Sequence, residues 1–502
     1  MRNTFHHACF RLLPALGLAL LLGCATTGTG KSQQQEELER LGRIRDRVHH
    51  AEKLGKAAMK QQGTAPLQEA AAAYRAALAE IPKNRMASLW AVGQANLANL
   101  TGELGAREGS RARLEEALAL YRSALEVGEF RADHPKDWAM ALGNMGGTLL
   151  DLGERESGTA RLEQAVSALR LAISQGPEQT EPERWTLLRY NLSAALLALG
   201  KRTHSRAALD ESVSQLRVVE KEWTRERQPE KWSGVQTNLG NALLTLGEWE
   251  SSTARMEESV AASRAALEVR TRESNPAAWA STRGNLAIAL LQLGQHQPDP
   301  ARTREAVSVY EETLQALPRE QYPQQWAQLH FNQGEALVTL ADQEKKPALL
   351  DEAVAAYRAV LGEWTRERAP AQWSMAQAAL GATLVTLAQR EKGTARLKEL
   401  EEGASLLRAV VMTLDPAQEP ARWAGNQHNL GNALMLLADR KKSEAHACEA
   451  FESHSEALTV FKSHVPEYVA MGEQALEQDT RLLRTRFGPQ ALQRCKAKQA
   501  AQ

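Results

Sequence analysis

The sequence predicts an all-α stack of helical hairpins, and three recurring features carry that prediction. Tryptophan returns at Trp90, Trp138, Trp185, Trp232, Trp279, Trp326, Trp373 and Trp423, with gaps of 48, 47, 47, 47, 47, 47 and 50 residues. A near-fixed period of this length marks one supersecondary unit copied and stacked. Proline stands three residues before seven of the eight, at Pro135, Pro182, Pro229, Pro276, Pro323, Pro370 and Pro420. In the first helical turn its missing amide hydrogen costs nothing, so each proline opens a helix. A leucine followed by Gly or Ala closes the same segment in every copy, at Leu104, Leu152, Leu199, Leu246, Leu293, Leu340, Leu387 and Leu437.

The chain is 502 residues long and 43% hydrophobic. It can bury a large core, but the repeats distribute that core along a quasi-one-dimensional stack. Lysine plus arginine and aspartate plus glutamate each total 61. With no net field to attract phosphates, nucleic acid is not an expected partner.

At the amino terminus, Arg2 and Arg11 precede an apolar run from Leu12 to Leu22 that is too short to span a bilayer as a mature helix. That is the pattern of an export signal over residues 1–23. The tetrad Leu21-Leu22-Gly23-Cys24 then resembles the lipobox of bacterial lipoproteins. The resemblance implies cleavage behind Gly23, acylation of Cys24 and a lipid anchor in the cell envelope. Ala25 is not the aspartate that marks inner-membrane retention in enteric lipoproteins, which implies the outer membrane. Residues 24–35, rich in Thr, Gly, Ser and Gln, read as a flexible tether with a reach under about 20 Å.

Once Cys9 leaves with the signal and Cys24 is acylated, Cys448 and Cys495 remain as the pair that can bridge in an oxidising compartment.

One repeat, residues 229–275, shows the local logic. Leu239, Gly240, Leu243 and Leu246 follow Trp232 at helical spacing, and Gly247 reads as a left-handed stop. Helix A is therefore expected over about 229–246, and helix B from Met256 to about Glu268. Ser259, Ser263 and Ala266 let the second helix pack closely on the first. A helix of about 18 residues is about 27 Å long, and such a pair hides its apolar face only against the next pair.

The signature N-L-G-x-A-L-x-x-L-G at Asn238 to Gly247, with E-E-A-V-x-x-Y-R-A-x-L-type helix B sequences near Glu352 to Leu361, resembles the tetratricopeptide repeat. The resemblance covers about residues 36–465 and implies a right-handed superhelical α-solenoid with a concave peptide-binding face. The departure is length, 47 residues against the usual 34. HEAT repeats share the longer period, but proline at the helix start separates this chain from them.

Before the first tryptophan, Leu54-Gly55, Ala70, Tyr74 and Ala77 trace a shorter copy, for about nine repeats in all. After the last, Pro466 opens a charged helix to about Phe487, so residues 466–502 read as a capping helix and tail.

Six residues after each tryptophan stand Asn96, Asn144, Asn191, Asn238, Asn285, Asn332, Ala379 and Asn429. Asparagine is a mediocre helix former, so this ladder needs a reason. Its amides either pair with a peptide backbone in the groove or bond a neighbouring helix, and the residues leave both readings open. The flanking columns two and nine residues after tryptophan hold no lysine or arginine, which argues against capture of a terminal carboxylate.

Nucleophile-elbow, phosphate-loop and zincin motifs are absent from the sequence. His446, Cys448, His454 and His464 match no metal-ligand spacing. The expectation is a non-catalytic scaffold without cofactor or metal, held to the membrane through Cys24 and binding an unidentified protein or peptide. The alternative is a spacer or self-assembling array with no external peptide ligand.

Overall fold

The computed structural model describes residues 31–175, 182–391 and 395–499, so the signal segment and Cys24 lie outside the described residues. The chain divides into two compact units, Met1–Arg270 and Thr271–Gln502.

In the first unit, α1 (Lys31–Ala58) pairs with α2 (Ala65–Glu80), and α3 (Ala87–Glu108) with α4 (Arg111–Leu125). A short α5 (Gly128–Asp133) follows, which the repeat pattern did not announce. Three hairpins complete the unit: α6 (Pro135–Arg155) with α7 (Ala160–Ser174), α8 (Pro182–Thr203) with α9 (Arg206–Glu222), and α10 (Pro229–Glu250) with α11 (Thr253–Leu267).

The second unit begins with α12 (Pro276–His296) and α13 (Pro300–Ala316), then α14 (Pro323–Glu344) and α15 (Ala348–Leu361). The hairpins α16 (Pro370–Arg390) with α17 (Leu397–Val411) and α18 (Pro420–Lys441) with α19 (Glu444–His464) follow. A 3-10 turn at Pro466–Tyr468 leads into α20 (Val469–Phe487), and α21 (Ala491–Gln499) ends the described chain. Each of the seven prolines is the first residue of its helix, as their spacing predicts.

Two expectations change. Helix α1 begins at Lys31, so residues 31–35 of the expected tether are helical. Gly247 is not a left-handed stop, because α10 runs through it to Glu250 and Ser251 takes the left-handed turn at φ 51°. What Gly247 provides is room: a Cβ there would lie 2.9 Å from Met256 Cγ.

The same logic governs the crossing of each hairpin. A Cβ at Gly334 would sit 2.6 Å from Tyr357 Cε1, and one at Gly146 2.7 Å from Leu169 Cγ. Small residues in helix A thus let a large helix-B side chain lie directly on the backbone. Where helix B is small instead, a hydroxyl reaches across, as Ser259 Oγ does to the Gly240 carbonyl at 2.8 Å.

Burial follows the leucine and alanine columns. Leu114, Tyr121, Leu149 and Leu169 are buried in one cluster of the first unit, and Leu400, Leu407, Leu430 and Leu437 in one of the second. Each such side chain contributes about 1.5–3 kcal/mol relative to exposure. Serine N-caps start α4, α9, α11 and α19, with Ser110, Ser205, Ser252 and Ser443 accepting from backbone amides.

Arginines stitch neighbouring repeats by bonding the carbonyls that end the preceding helix A. Arg155 Nη1 donates to the Gly109 carbonyl at 3.1 Å, and Arg202 Nη1 to those of Gly153 and Gly158 at 2.6 and 2.7 Å. In the second unit Arg390 Nη1 donates to the Ala341 carbonyl at 3.0 Å.

Candidate functional site

The asparagine ladder lies mostly inside the scaffold. Asn96, Asn191, Asn238 and Asn285 are buried, while Asn144, Asn332 and Asn429 are half-buried. Their neighbours are tyrosines of the packed core. Asn96 lies beside Tyr74, whose phenol burial and the Glu52 charge push up, with the amide opposing. Tyr190, pushed up to about 12 by burial, is opposed by Arg270 and Asn238. Burial likewise raises Tyr310, against which Asn332 acts.

Asn144 Nδ2 donates to Asn99 Oδ1 at 2.9 Å, and Asn99 also accepts from the Tyr121 hydroxyl. Asn144 thus fixes the amide that serves the Tyr121 hydroxyl, whereas the buried hydroxyls of Tyr74, Tyr190 and Tyr310 lie near ladder amides without a hydrogen bond.

Four residues after tryptophan, a second polar column faces helix B. Arg189 Nη1 donates to Gln215 at 2.5 Å, Gln236 Nε2 to Glu220 at 2.5 Å, and Gln427 Nε2 to Glu456 at 2.5 Å. Arg283 reaches Thr313 and Glu312 at 2.7 and 2.6 Å. The bonds of Arg189, Arg283 and Gln427 tie the two helices of one hairpin, while that of Gln236 ties α10 to α9 of the preceding hairpin.

The columns two and nine residues after tryptophan differ between the units. In the first unit Val92, Met140, Leu187 and Gly234 are buried, as are Asn99 and Gly147. In the second unit Gln328, Glu335 and Met375 are exposed, and Ser281, Ile288, Ala382, Gly425 and Asn432 are half-buried. Gln328, Asn332, Glu335, Thr339 and Asp342 form one stripe along α14, and Gln328 Nε2 donates to Asn332 Oδ1 at 2.9 Å. The open helix-A face thus belongs to the second unit.

The tryptophans serve a role that spacing alone did not show. Except for buried Trp138 they are half-buried, and cations lie over several rings. Lys83 is 4.1 Å from the Trp90 centroid, Arg131 4.8 Å from Trp138, Arg319 4.6 Å from Trp326 and Arg366 5.8 Å from Trp373. Each of these cations precedes its tryptophan by seven residues, a recurrence visible in the sequence. Arg319 also bridges Glu363 of the next repeat at 2.7 Å, and Arg225 bridges Glu268. The Thr224 to Arg227 and Thr365 to Arg368 segments are hydroxyl-capped turns, with Thr224 Oγ1 and Thr365 Oγ1 accepting from the Arg227 and Arg368 amides at 3.4 and 3.3 Å.

Arg270 fills an interior slot where equivalent positions hold Trp223, Leu317 and Trp364. Its guanidinium donates to Ser233 Oγ at 3.1 Å and Thr237 Oγ1 at 2.9 Å, and burial pulls its pKa down.

At the carboxyl end Cys448 and Cys495 are bonded, joining α19 to α21 with 5.0 Å between their Cα atoms. His454 occupies the helix-B tyrosine slot of the last repeat and meets Asp479 of α20. Outward positions of α20 such as Glu473, Glu477, Arg481 and Arg484 are exposed, as a cap requires. Among the described residues no group of three or more His, Cys, Asp or Glu side chains is placed to hold a metal ion. No helix among them is long and apolar enough to cross a membrane.

Within each unit, paired helices that close their core against the next pair define a helical-repeat scaffold. Residues 90–136 match the tetratricopeptide repeat family model. Over that stretch the chain carries a tetratricopeptide repeat.

No curated protein matches the sequence. Similar solved structures include the apo form of RapI, at TM-score 0.42 and 12% identity over 78% of this chain and 98% of that one. A Rap protein complexed with Competence and Sporulation Factor gives TM-score 0.40 and 12% identity over 80% and 99%. Yeast Tom70 gives TM-score 0.21 and 14% identity over 87% and 97%.

Proposed function

We propose that this protein is a non-catalytic binding scaffold that holds an extended segment of another envelope protein on the open helix-A face of its second unit. The observation that carries this reading is the contrast between columns of identical register. Unit one buries Val92, Met140, Leu187 and Gly234 in the column that unit two exposes as Gln328 and Met375, and in the column of exposed Glu335 it buries Asn99 and Gly147 and half-buries Ala194 and Asn241. Polar groups on Gln328, Asn332, Asn429 and Asn432 can bond a peptide backbone, and Met375 offers an adaptable apolar contact. The buried amides of Asn96, Asn191, Asn238 and Asn285 belong to the scaffold in this reading.

Anchoring follows from Cys24 in the lipobox-like tetrad, with the outer membrane as the proposed site. Lipid attachment would restrict the scaffold to the membrane surface and raise the local concentration of partners there.

Site-specific photo-crosslinking in cells tests the proposal. A photoreactive residue in place of Met375 should capture a discrete segment of one partner, while one in place of exposed Glu352 on helix B should not. Equal capture from both positions, or none from Met375, would overturn the assignment of the face. Labelled fatty acid should enter the wild-type protein and not Cys24→Ser; equal labelling would remove the anchor.

A further inference from the structure

We propose that Glu335 is the specificity determinant of that face and takes the ammonium or guanidinium of a lysine or arginine in the bound segment. This inference rests on the open face of the second unit being the binding surface.

Glu335 is the one charged member of the ladder and its two flanking columns in the second unit. Among the described residues no cation pairs with it. Several acids of the same unit are matched instead: Glu312 with Arg283 at 2.6 Å, Asp342 with Arg390 at 3.3 Å, and Glu363 with Arg319 at 2.7 Å. Burial raises the phenols of Tyr310 and Tyr357, and the Glu335 charge adds to both shifts. Although the residue is exposed as a whole, partial desolvation by the packed helices around it pushes its own carboxyl up as well. A carboxylate in this state gains from an incoming cation.

The next helix A supplies the complement to a long side chain. Helices α14 and α16 are tied together by Arg390, which bonds both Asp342 and the Ala341 carbonyl. In α16 the ladder asparagine is replaced by Ala379, half-buried beside Ala382 and exposed Met375. These methyl and thioether groups suit the aliphatic stem of lysine or arginine, whose charged head would then meet Glu335. Breaking the ladder at this repeat and placing the unpaired acid one repeat earlier are two separate features that fit one ligand chemistry. An acidic or wholly apolar segment would leave the carboxylate without a partner.

The test is selection from a displayed library of random twelve-residue peptides on the full-length protein in detergent, beside the Glu335→Gln variant. Wild type should enrich peptides with a lysine or arginine, and a selected peptide should bind the variant about five- to tenfold more weakly. Changing the peptide cation to alanine should weaken wild type by a similar factor and leave the variant unaffected. Raising salt should weaken wild type more than the variant.

Selected peptides without basic enrichment, or equal binding by a folded Glu335→Gln, would overturn the inference and leave the binding face standing. Failure to select any peptide would overturn both. A concentration-dependent dimer that Glu335→Gln dissolves would make a second copy the occupant, and would likewise overturn it.

Discussion

His454 Nδ1 lies 2.6 Å from Asp479 Oδ2, both side chains fully withdrawn from solvent, and this contact joins the last repeat to its capping helix. The other ring nitrogen, Nε2, faces the His428 carbonyl at 3.2 Å. Burial pushes the Asp479 carboxyl up while His454 pulls it back. Removing one member leaves the other desolvated without its partner, which is destabilising by about 3 kcal/mol or more. Asp479→Ala should lower the urea midpoint by that amount and expose α20 to hydrogen exchange before the rest of the unit. An unchanged midpoint would show that the apolar contacts of α20 alone hold the cap.

His428 sets an acid limit on the same region. Burial, and then repulsion from His454, lower its pKa from 6.5 to about 4. Its folded value lies below its unfolded value, so its stabilising contribution is complete above about pH 6.5 and is lost as pH falls through about 4. The loss is on the order of 2 kcal/mol after allowance for residual screening. Thermal unfolding of the wild type should weaken over this window more than that of His428→Leu. Parallel curves for the two proteins would refute the assignment.

The Cys448–Cys495 bridge closes a loop with a sequence separation of 47. Loop-closure entropy for that length corresponds to about 4 kcal/mol. The double variant Cys448→Ser, Cys495→Ser should lose roughly that stability, and reductant should have no further effect on it. Limited proteolysis should then cut first between α20 and α21.

Two glycines give opposite expectations from the same substitution. Gly334→Ala drives a Cβ to 2.6 Å from the Tyr357 ring, so the ring or helix must shift, at about 1–3 kcal/mol. Gly425→Ala meets nothing within 4 Å and lies inside a helix, so it should stabilise by about 0.5–1 kcal/mol. Chemical denaturation of the two variants checks the pair, and the same sign for both would contradict the packing described.

Arg319 should matter more than a surface cation usually does. It covers the Trp326 ring and bridges Glu363, so Arg319→Ala removes two contacts between successive repeats. The loss should be about 1 kcal/mol, and a double-mutant cycle with Glu363→Ala should show coupling. Strict additivity would reduce the bridge to a surface contact of no energetic weight.

Periodicity alone determined that this protein is an array of paired helices, because a 47-residue copy cannot bury its leucines except against the next copy. Proline at each helix start and the leucine columns were equally legible, since both are local consequences of helix geometry. Reading Gly247 as a stop failed because a glycine required by side-chain proximity looks, in one dimension, like a glycine required by φ. The cation seven residues before six of the eight tryptophans was present in the sequence, but only the turn between helices brings charge and ring together. Tertiary structure decided which asparagines lie inside and which helix-A columns stay open. Solvent exposure depends on how adjacent hairpins cover one another, and residues in identical register carry no trace of that in their order along the chain.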